Sequence, residues 1–269
     1  MEILFITLSF SATFVSIKVL IPFFEKRLNA KPSLRGMHTI TKPTGGGICF
    51  ALVISILSLI RGFYLPIISL PLSIISLLDD KYNLNKLVRY CFQICFIVFI
   101  YNYLTLNNNL FVNISNPYIN LLTIFICIFI GTAIINFINF MDGIDGLVSG
   151  CLVIIFLIVT IKGNYNFWIS IGSIMGFIIF NWYPSKLFMG DAGSIFLGSI
   201  VVSVALSQDN LLELSKFILL FSPLLLDSGI CILRRLKNKQ NIFKAHKLHL
   251  YQRLVSNGFK HSTISLIYI

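Results

Sequence analysis

Five of the ten acidic residues, Asp79, Asp80, Asp142, Asp145 and Asp191, stand at the ends of long apolar runs that carry almost no other charge. Ionisable groups near bilayer depth are costly, and they mark sites of function. Asp79 and Asp80 are adjacent, so their carboxylates repel unless they share a cation or a proton. That suits a divalent metal or a general base, with a solvated loop start as the plain alternative. In Asn136-Phe-Ile-Asn139-Phe-Met-Asp142-Gly-Ile-Asp145-Gly146 four polar side chains recur at every third position. On a helix such a series forms one polar stripe, although Asn136 and Asn139 could equally bind neighbouring helices. Phe188-Met-Gly-Asp191-Ala-Gly-Ser194 sets one acid between two glycines where the next apolar run begins. Alone it could be a helix cap. Together the three clusters offer several oxygen ligands, with room for phosphate oxygens and water, which is what Mg²⁺ requires.

Two basic segments complement these acids. Lys42-Pro-Thr-Gly45-Gly46-Gly47 could expose backbone N–H groups to an anion, or serve as a flexible turn or a close helix contact. His246 and His249 are three residues apart and Arg253 follows four later, so a helix would put all three on one face. Such a face suits a diphosphate or an anionic lipid head group, whereas an inner-leaflet anchor is the ordinary alternative.

The elements that must position these groups are membrane helices. The chain is 57% hydrophobic, with a mean hydropathy of +0.88. Apolar runs lie near 3–21, 45–60, 63–78, 90–105, 120–140, 146–161, 166–182, 193–207 and 213–233. The expectation is therefore an all-α polytopic protein of about nine to ten transmembrane helices forming a single integral-membrane domain over residues 1–269. Residues 263–269 read as the start of a tenth span, so the C-terminus is expected to be truncated. The first run lacks a basic leader and a small-x-small cleavage site, which makes it a span rather than a signal peptide.

Nearly all of the 21 basic residues fall in the odd-numbered connections; only Arg61, Lys162 and Lys216 lie in the even ones, and Lys18 lies within the first run. The positive-inside rule then puts the N-terminus outside and all five acids on the cytoplasmic side. The six cysteines lie in apolar runs without CxxC spacing and read as packing residues. Asp227, inside the ninth run, is open to a structural or a functional reading.

Taken in order, these motifs resemble the polyprenyl-phosphate N-acetylhexosamine-1-phosphate transferase family (glycosyltransferase family 4). The resemblance runs from Arg35 to Leu254. It rests on Pro-Thr-Gly-Gly-Gly at 43–47, Asp79-Asp80 followed by Arg89, the Asn136 to Gly146 block, Met-Gly-Asp at 189–191, Leu-Leu-Asp-x6-Arg-Arg ending at Arg235, and Ala-His-Lys-Leu-His-Leu-Tyr-Gln-Arg-Leu at 245–254. It implies transfer of a sugar 1-phosphate from a UDP-N-acetylhexosamine to undecaprenyl phosphate at the cytoplasmic face of the bacterial inner membrane. Asn139 and Asp191 would hold Mg²⁺ (or Mn²⁺) and Asp79 and Asp80 would be catalytic, while Asp142, Asp145, Arg89, His246, His249 and Arg253 would bind substrate. Asn83 stands where the family often has a third acid. Tyr251-Gln252 replaces its adjacent histidines, which is similar to the branch that initiates O-antigen, lipopolysaccharide and related surface polysaccharides.

Membrane lipid is an expected partner and nucleic acid is not. The residues fix no oligomeric state, a homodimer being one option. The alternatives are a phospho-N-acetylmuramoyl-pentapeptide transferase of peptidoglycan synthesis or, in another class, a cation-coupled transporter, which would place acids near mid-span.

Overall fold

The computed structural model describes residues 1–30, 37–38, 40–82, 84–106, 116–163, 165–241 and 246–269. Lys31, Arg35, Asn83, Lys244 and residues 107–115 of the Asn-rich connection lie outside the described residues. Along the chain come α1 (Glu2–Arg27), β1 (Asn29–Ala30), β2 (Lys42–Pro43), α2 (Gly47–Ile60), α3 (Leu65–Tyr82), α4 (Lys86–Thr105) and α5 (Pro117–Met141). These are followed by α6 (Leu147–Ile161), α7 (Trp168–Asn181), α8 (Gly190–Leu206), α9 (Leu211–Leu220), α10 (Ser222–Lys237), α11 (Leu250–Ser256) and α12 (His261–Tyr268).

The protein is thus an all-α, multi-pass membrane protein whose only strands among the described residues are a two-residue antiparallel pair, Asn29 against Pro43 and Ala30 against Lys42. Helices α1, α4 and α5 are long and apolar enough to cross a bilayer, and α9 with α10 would make a fourth span if the bent pair counts as one; α2, α6, α7 and α8 are shorter apolar helices. Ile3, Phe125 and Phe129 are exposed, the pattern of a surface solvated by lipid rather than water.

Eight of the nine apolar runs each become one helix, but the ninth does not. It breaks between α9 and α10 with a bend of 81°. Pro223, at the start of α10, has no N–H to give to the carbonyl of Leu219, and its ring crowds that carbonyl. Elsewhere local chemistry sets the ends: the Asn85 side chain accepts from Leu87 N–H at 3.0 Å, and Asn116 caps α5 just before Pro117.

α8 is the centre of the bundle, buried at every position from Ala192 to Leu206 and packed by α2, α3, α4 and α5. Small residues bring the helices together. A Cβ on Gly47 would fall 2.2 Å from the Cα of Gly193, and Cβ atoms on Gly172 and Gly176 of α7 would fall 2.4 and 2.6 Å from the α1 carbonyl oxygens of Ile6 and Phe10. Ser73 of α3 donates to the carbonyl of Ala192 at 2.8 Å. These contacts place the first turn of α8 beside the ends of α3 and α5.

Candidate active site

The last turn of α3 carries Asp79 and Asp80, the first turn of α4 Arg89, the last turn of α5 Asn139, and the first turn of α8 Asp191. Arg89 Nη1 joins two of these helices, donating to Asp79 Oδ2 at 2.8 Å and to Asp191 Oδ2 at 2.5 Å. Asn139 Nδ2 donates to Asp191 Oδ1 at 2.9 Å and to Ser194 Oγ at 2.8 Å. Gly190 holds φ at +72°, and a Cβ there would lie 2.8 Å from Asp80 Oδ2. Glycine alone suits both the backbone angle and the space.

Asp80, Asn139, Asp142, Asp191 and His249 all line one cavity of about 340 Å³, beside Thr44, Asn181 and Gly190. Asp80 Oδ2 is buried there with no hydrogen-bond partner. Three carboxylates facing one guanidinium leave uncompensated negative charge. Such hard oxygens, one of them partnerless, are the donor set a Mg²⁺ ion takes, and they fit that ion. Asn139, with its amide nitrogen already engaged, has its carbonyl oxygen left to offer. In the cavity wall Asp142 has its pKa pushed up to about 8, by burial first and then by the charges of Asp191 and Asp145.

The expected four-residue stripe divides. α5 ends at Met141, so only Asn136 and Asn139 are helical. Asn136 turns away from the cavity to bind Gln93 Oε1 of α4 at 2.9 Å and the Thr132 carbonyl at 2.7 Å, the helix-joining role. Asp145, in the turn that follows, does not line the cavity. Its carboxylate instead accepts from Ser185 N–H at 3.0 Å and Ser185 Oγ at 2.8 Å, with Lys42 Nζ at 3.8 Å and His261 Nδ1 at 3.6 Å. Burial would raise the pKa of this acid, but the His261 ring, both Ser185 bonds and the Lys42 charge overrule it and hold the carboxyl below its ordinary value. Gly143 and Gly146 break the helix because Asp142 to Gly146 must pass beneath two aromatic rings, Tyr251 and Trp182.

The glycine run before α2 is a packing element. Gly46 and Gly47 donate their N–H groups to the carbonyls of Phe188 and Met189 at 3.0 and 2.9 Å, which clamps the first connection onto the start of α8 rather than onto an anion.

The basic segment near the C-terminus also departs from expectation. α11 begins only at Leu250, so His246, His249 and Arg253 do not share a helical face. His249 is the buried N-cap of α11 and reaches the cavity. His246 stacks on it, with ring centroids 5.0 Å apart. Arg253 instead lines a second cavity of about 430 Å³ among α10, α11 and α12, with Arg234. Asp227 has a structural role: it accepts from Leu250 N–H at 2.7 Å, Tyr251 N–H at 3.2 Å and Tyr268 Oη at 2.7 Å, pinning the start of α11 to α10. No acid cluster of the transporter kind is seen at mid-span among the described residues.

One contributor, Asn181, carries no expectation from the sequence, and another, Tyr251, is marked there only by standing with Gln252 in place of the family's adjacent histidines. Asn181 accepts from Gly146 N–H at 3.2 Å and donates to the Leu187 carbonyl at 3.1 Å, locking both loops of the cavity. Its signal was residue type and place alone, an amide at the end of an apolar run, without the period of three that marked Asn139. Tyr251 lies over Gly143 and donates to the Phe140 carbonyl at 3.0 Å, and no sequence spacing connects residues that far apart.

This chain, a polytopic helical bundle with acids converging at one end, has known proteins of similar sequence. Residues 62–209, more than half of the chain, match the family Glycosyl transferase family 4, and the chain belongs to that family. It is similar to the "Probable undecaprenyl-phosphate N-acetylglucosaminyl 1-phosphate transferase" of Bacillus subtilis, 28% identical over 98% of this chain and 81% of that protein. It is also similar to the "Decaprenyl-phosphate N-acetylglucosaminephosphotransferase" of Mycobacterium leprae, 26% identical over 88% of this chain and 72% of the relative. The "Phospho-N-acetylmuramoyl-pentapeptide-transferase" of Caldicellulosiruptor bescii is 28% identical over 94% of this chain and 89% of its own length.

Proposed function

We propose that this chain transfers an N-acetylhexosamine 1-phosphate from a UDP-sugar to undecaprenyl phosphate, giving undecaprenyl-diphosphate-sugar and UMP and starting a cell-surface glycan. The observation that carries the reading is the meeting of Asp79, Asp80 and Asp191 from two helix ends around Arg89, with an unpartnered Asp80 oxygen facing the cavity. Such a site suits two phosphates that must approach each other. The names of the relatives from Bacillus and Mycobacterium support a polyprenyl phosphate acceptor and an N-acetylglucosamine-type donor.

In this reading Asn139 and Asp191 would hold Mg²⁺, with Mn²⁺ able to substitute. When bound, the ion would neutralise charge between donor diphosphate and acceptor phosphate, which otherwise repel. Asp79 and Asp80 orient the acceptor phosphate, and Arg89 holds their carboxylates and that of Asp191 in register. Asp142 and His249 face the donor from the cavity wall. Asp145 acts at one remove, by fixing Ser185, and His246 acts through its stacking on His249. Arg253 meets a ligand only through the second cavity.

The bilayer arrangement that goes with this is about nine to ten crossings in which the shorter apolar helices also count, with the N-terminus outside and the site on the cytoplasmic side. The concentration of Lys and Arg in the odd connections supports it.

The test is to incubate membranes carrying the chain with undecaprenyl phosphate and a panel of UDP-N-acetylhexosamines, and to identify the lipid product by mass. A lipid diphosphate sugar with release of UMP is expected. The match to the Caldicellulosiruptor protein makes the UDP-linked muramoyl-pentapeptide the necessary competitor; a product from that donor alone would replace the present reading with the peptidoglycan one.

A further inference from the structure

A second group of metal-ligating side chains lies outside the carboxylate cluster. Cys231 on α10, His246 and His249 each offer one ligand atom, and the three atoms lie within 4.8 Å of one another. Cys231 and His249 are both buried, at 4% exposure each, and His246 is half-buried. His249 Nδ1 is buried without a hydrogen-bond partner. It lies 3.8 Å from Asp227 Oδ1, one helical turn before Cys231.

One sulfur and two imidazole nitrogens are a poor set for Mg²⁺, which takes oxygen, and a good set for Zn²⁺ or a similar borderline transition metal. Zinc bonds of about 2.0–2.3 Å hold tetrahedral donors roughly 3.3–3.6 Å apart, so side-chain rotations of about an ångström close the group. His246 stands in the non-helical segment before α11, stacked on the ring of His249. Turning the His249 ring towards Asp227 gives one nitrogen a carboxylate acceptor and leaves the other free for the metal, an arrangement common among metal-bound histidines.

We propose that Cys231, His246 and His249 form a site for a Zn²⁺-type transition metal, distinct from the oxygen cluster of Asp79, Asp80 and Asp191. On binding, the Cys231 thiol loses its proton to solvent as the sulfur–metal bond forms. The metal fastens the histidine-bearing segment to α10, next to the wall of the first cavity. His246 and His249 also serve the transferase reading, but the readouts below are metal binding and coordination alone, so failure of sugar transfer would leave them unchanged and the two readings fail separately.

The experiment uses the full chain purified in detergent and loaded with Co²⁺ in the presence of excess Mg²⁺. Wild type is expected to bind about one equivalent and to show sulfur-to-cobalt charge transfer together with intense tetrahedral visible bands. Cys231→Ser is expected to lose the charge-transfer band and to bind Zn²⁺ at least tenfold more weakly in competition with a chromophoric chelator. Cys151→Ser, altered at a buried cysteine elsewhere, is expected to match wild type. Zinc-edge X-ray absorption on the wild type keeps the test decisive if the Cys231 variant does not fold, because it must show one sulfur at about 2.3 Å. A metal shell of nitrogen and oxygen only, no metal retained, or a charge-transfer band that survives in Cys231→Ser overturns the proposal.

Discussion

Arg89 of α4 and Asp191 of α8 meet at 2.5 Å, although 102 residues separate them in the chain. Their contact closes the acidic end of the bundle and draws in Asp79 as well. Replacing the cation therefore leaves three carboxylates facing one another. Arg89→Gln is expected to destabilise the metal-free protein by about 1–3 kcal/mol, the scale of a lost charge-assisted hydrogen bond. Added Mg²⁺ is expected to raise the melting temperature of the variant more than that of wild type. Equal shifts in differential scanning fluorimetry would show that the guanidinium does not share the acids with an ion.

Asp191 also accepts from Asn139, so Asp191→Asn alters charge while nearly keeping shape. Sugar-phosphate transfer to lipid is expected to fall on the order of a thousandfold, the loss of several kcal/mol of charge stabilisation, with membrane insertion unchanged. EDTA is expected to stop wild-type turnover and Mg²⁺ to restore it. Metal-independent transfer, or normal turnover by the variant, would remove the ion from the reaction.

Asp142 and Asp145 are expected to pull stability in opposite directions with pH. Asp142 is pushed up to about 8, so the folded state holds its proton more tightly than the unfolded state does. Its contribution to stability declines as pH rises from about 4 through 8. Asp142→Asn is therefore expected to gain on wild type in melting temperature between pH 5 and pH 9. Asp145 is held below its ordinary value, so its stabilisation is present above about pH 4 and disappears as pH falls through the folded pKa. Asp145→Asn is expected to melt below wild type at neutral pH, and to approach it in strong acid. Parallel pH curves for wild type and both variants would contradict the two assignments.

Gly47 offers a purely steric test. A Cβ there would meet Gly193 at its Cα and the Met189 carbonyl at 2.8 Å, and both are backbone atoms that cannot rotate away. Gly47→Ala is expected to cost about 1–3 kcal/mol by overpacking and to lower transfer, since the strained turn carries Asp191. Gly62→Ala is the companion control for backbone freedom: its Cβ would meet nothing within 4 Å, although its φ of +74° disfavours alanine. It is expected to lose stability while leaving turnover intact.

The convergence at the candidate site was legible because apolar runs make every embedded acid conspicuous: Asp79, Asp80, Asn139 and Asp191, each near the end of such a run, come together. What sequence spacing could not supply was where each helix stops. Extending the period of three through Asp145 presumed a helix that ends at Met141, so an acid expected in the cavity is found holding Ser185. The His246, His249 and Arg253 face failed for the same reason, with α11 starting at Leu250. Asp227 was ambiguous because its partners, the backbone amides of Leu250 and Tyr251, leave no trace in residue type. The break between α9 and α10 had a visible signal in Pro223, hidden by the apolar residues on either side.

Because α8 offers no face to the lipid, it behaves as a keystone: every helix that leans on it shares in setting where its first carboxylate stands. Distant changes to the interior should therefore register as altered chemistry before they register as unfolding, and suppressors of such defects should arise on the opposite flank of the same helix.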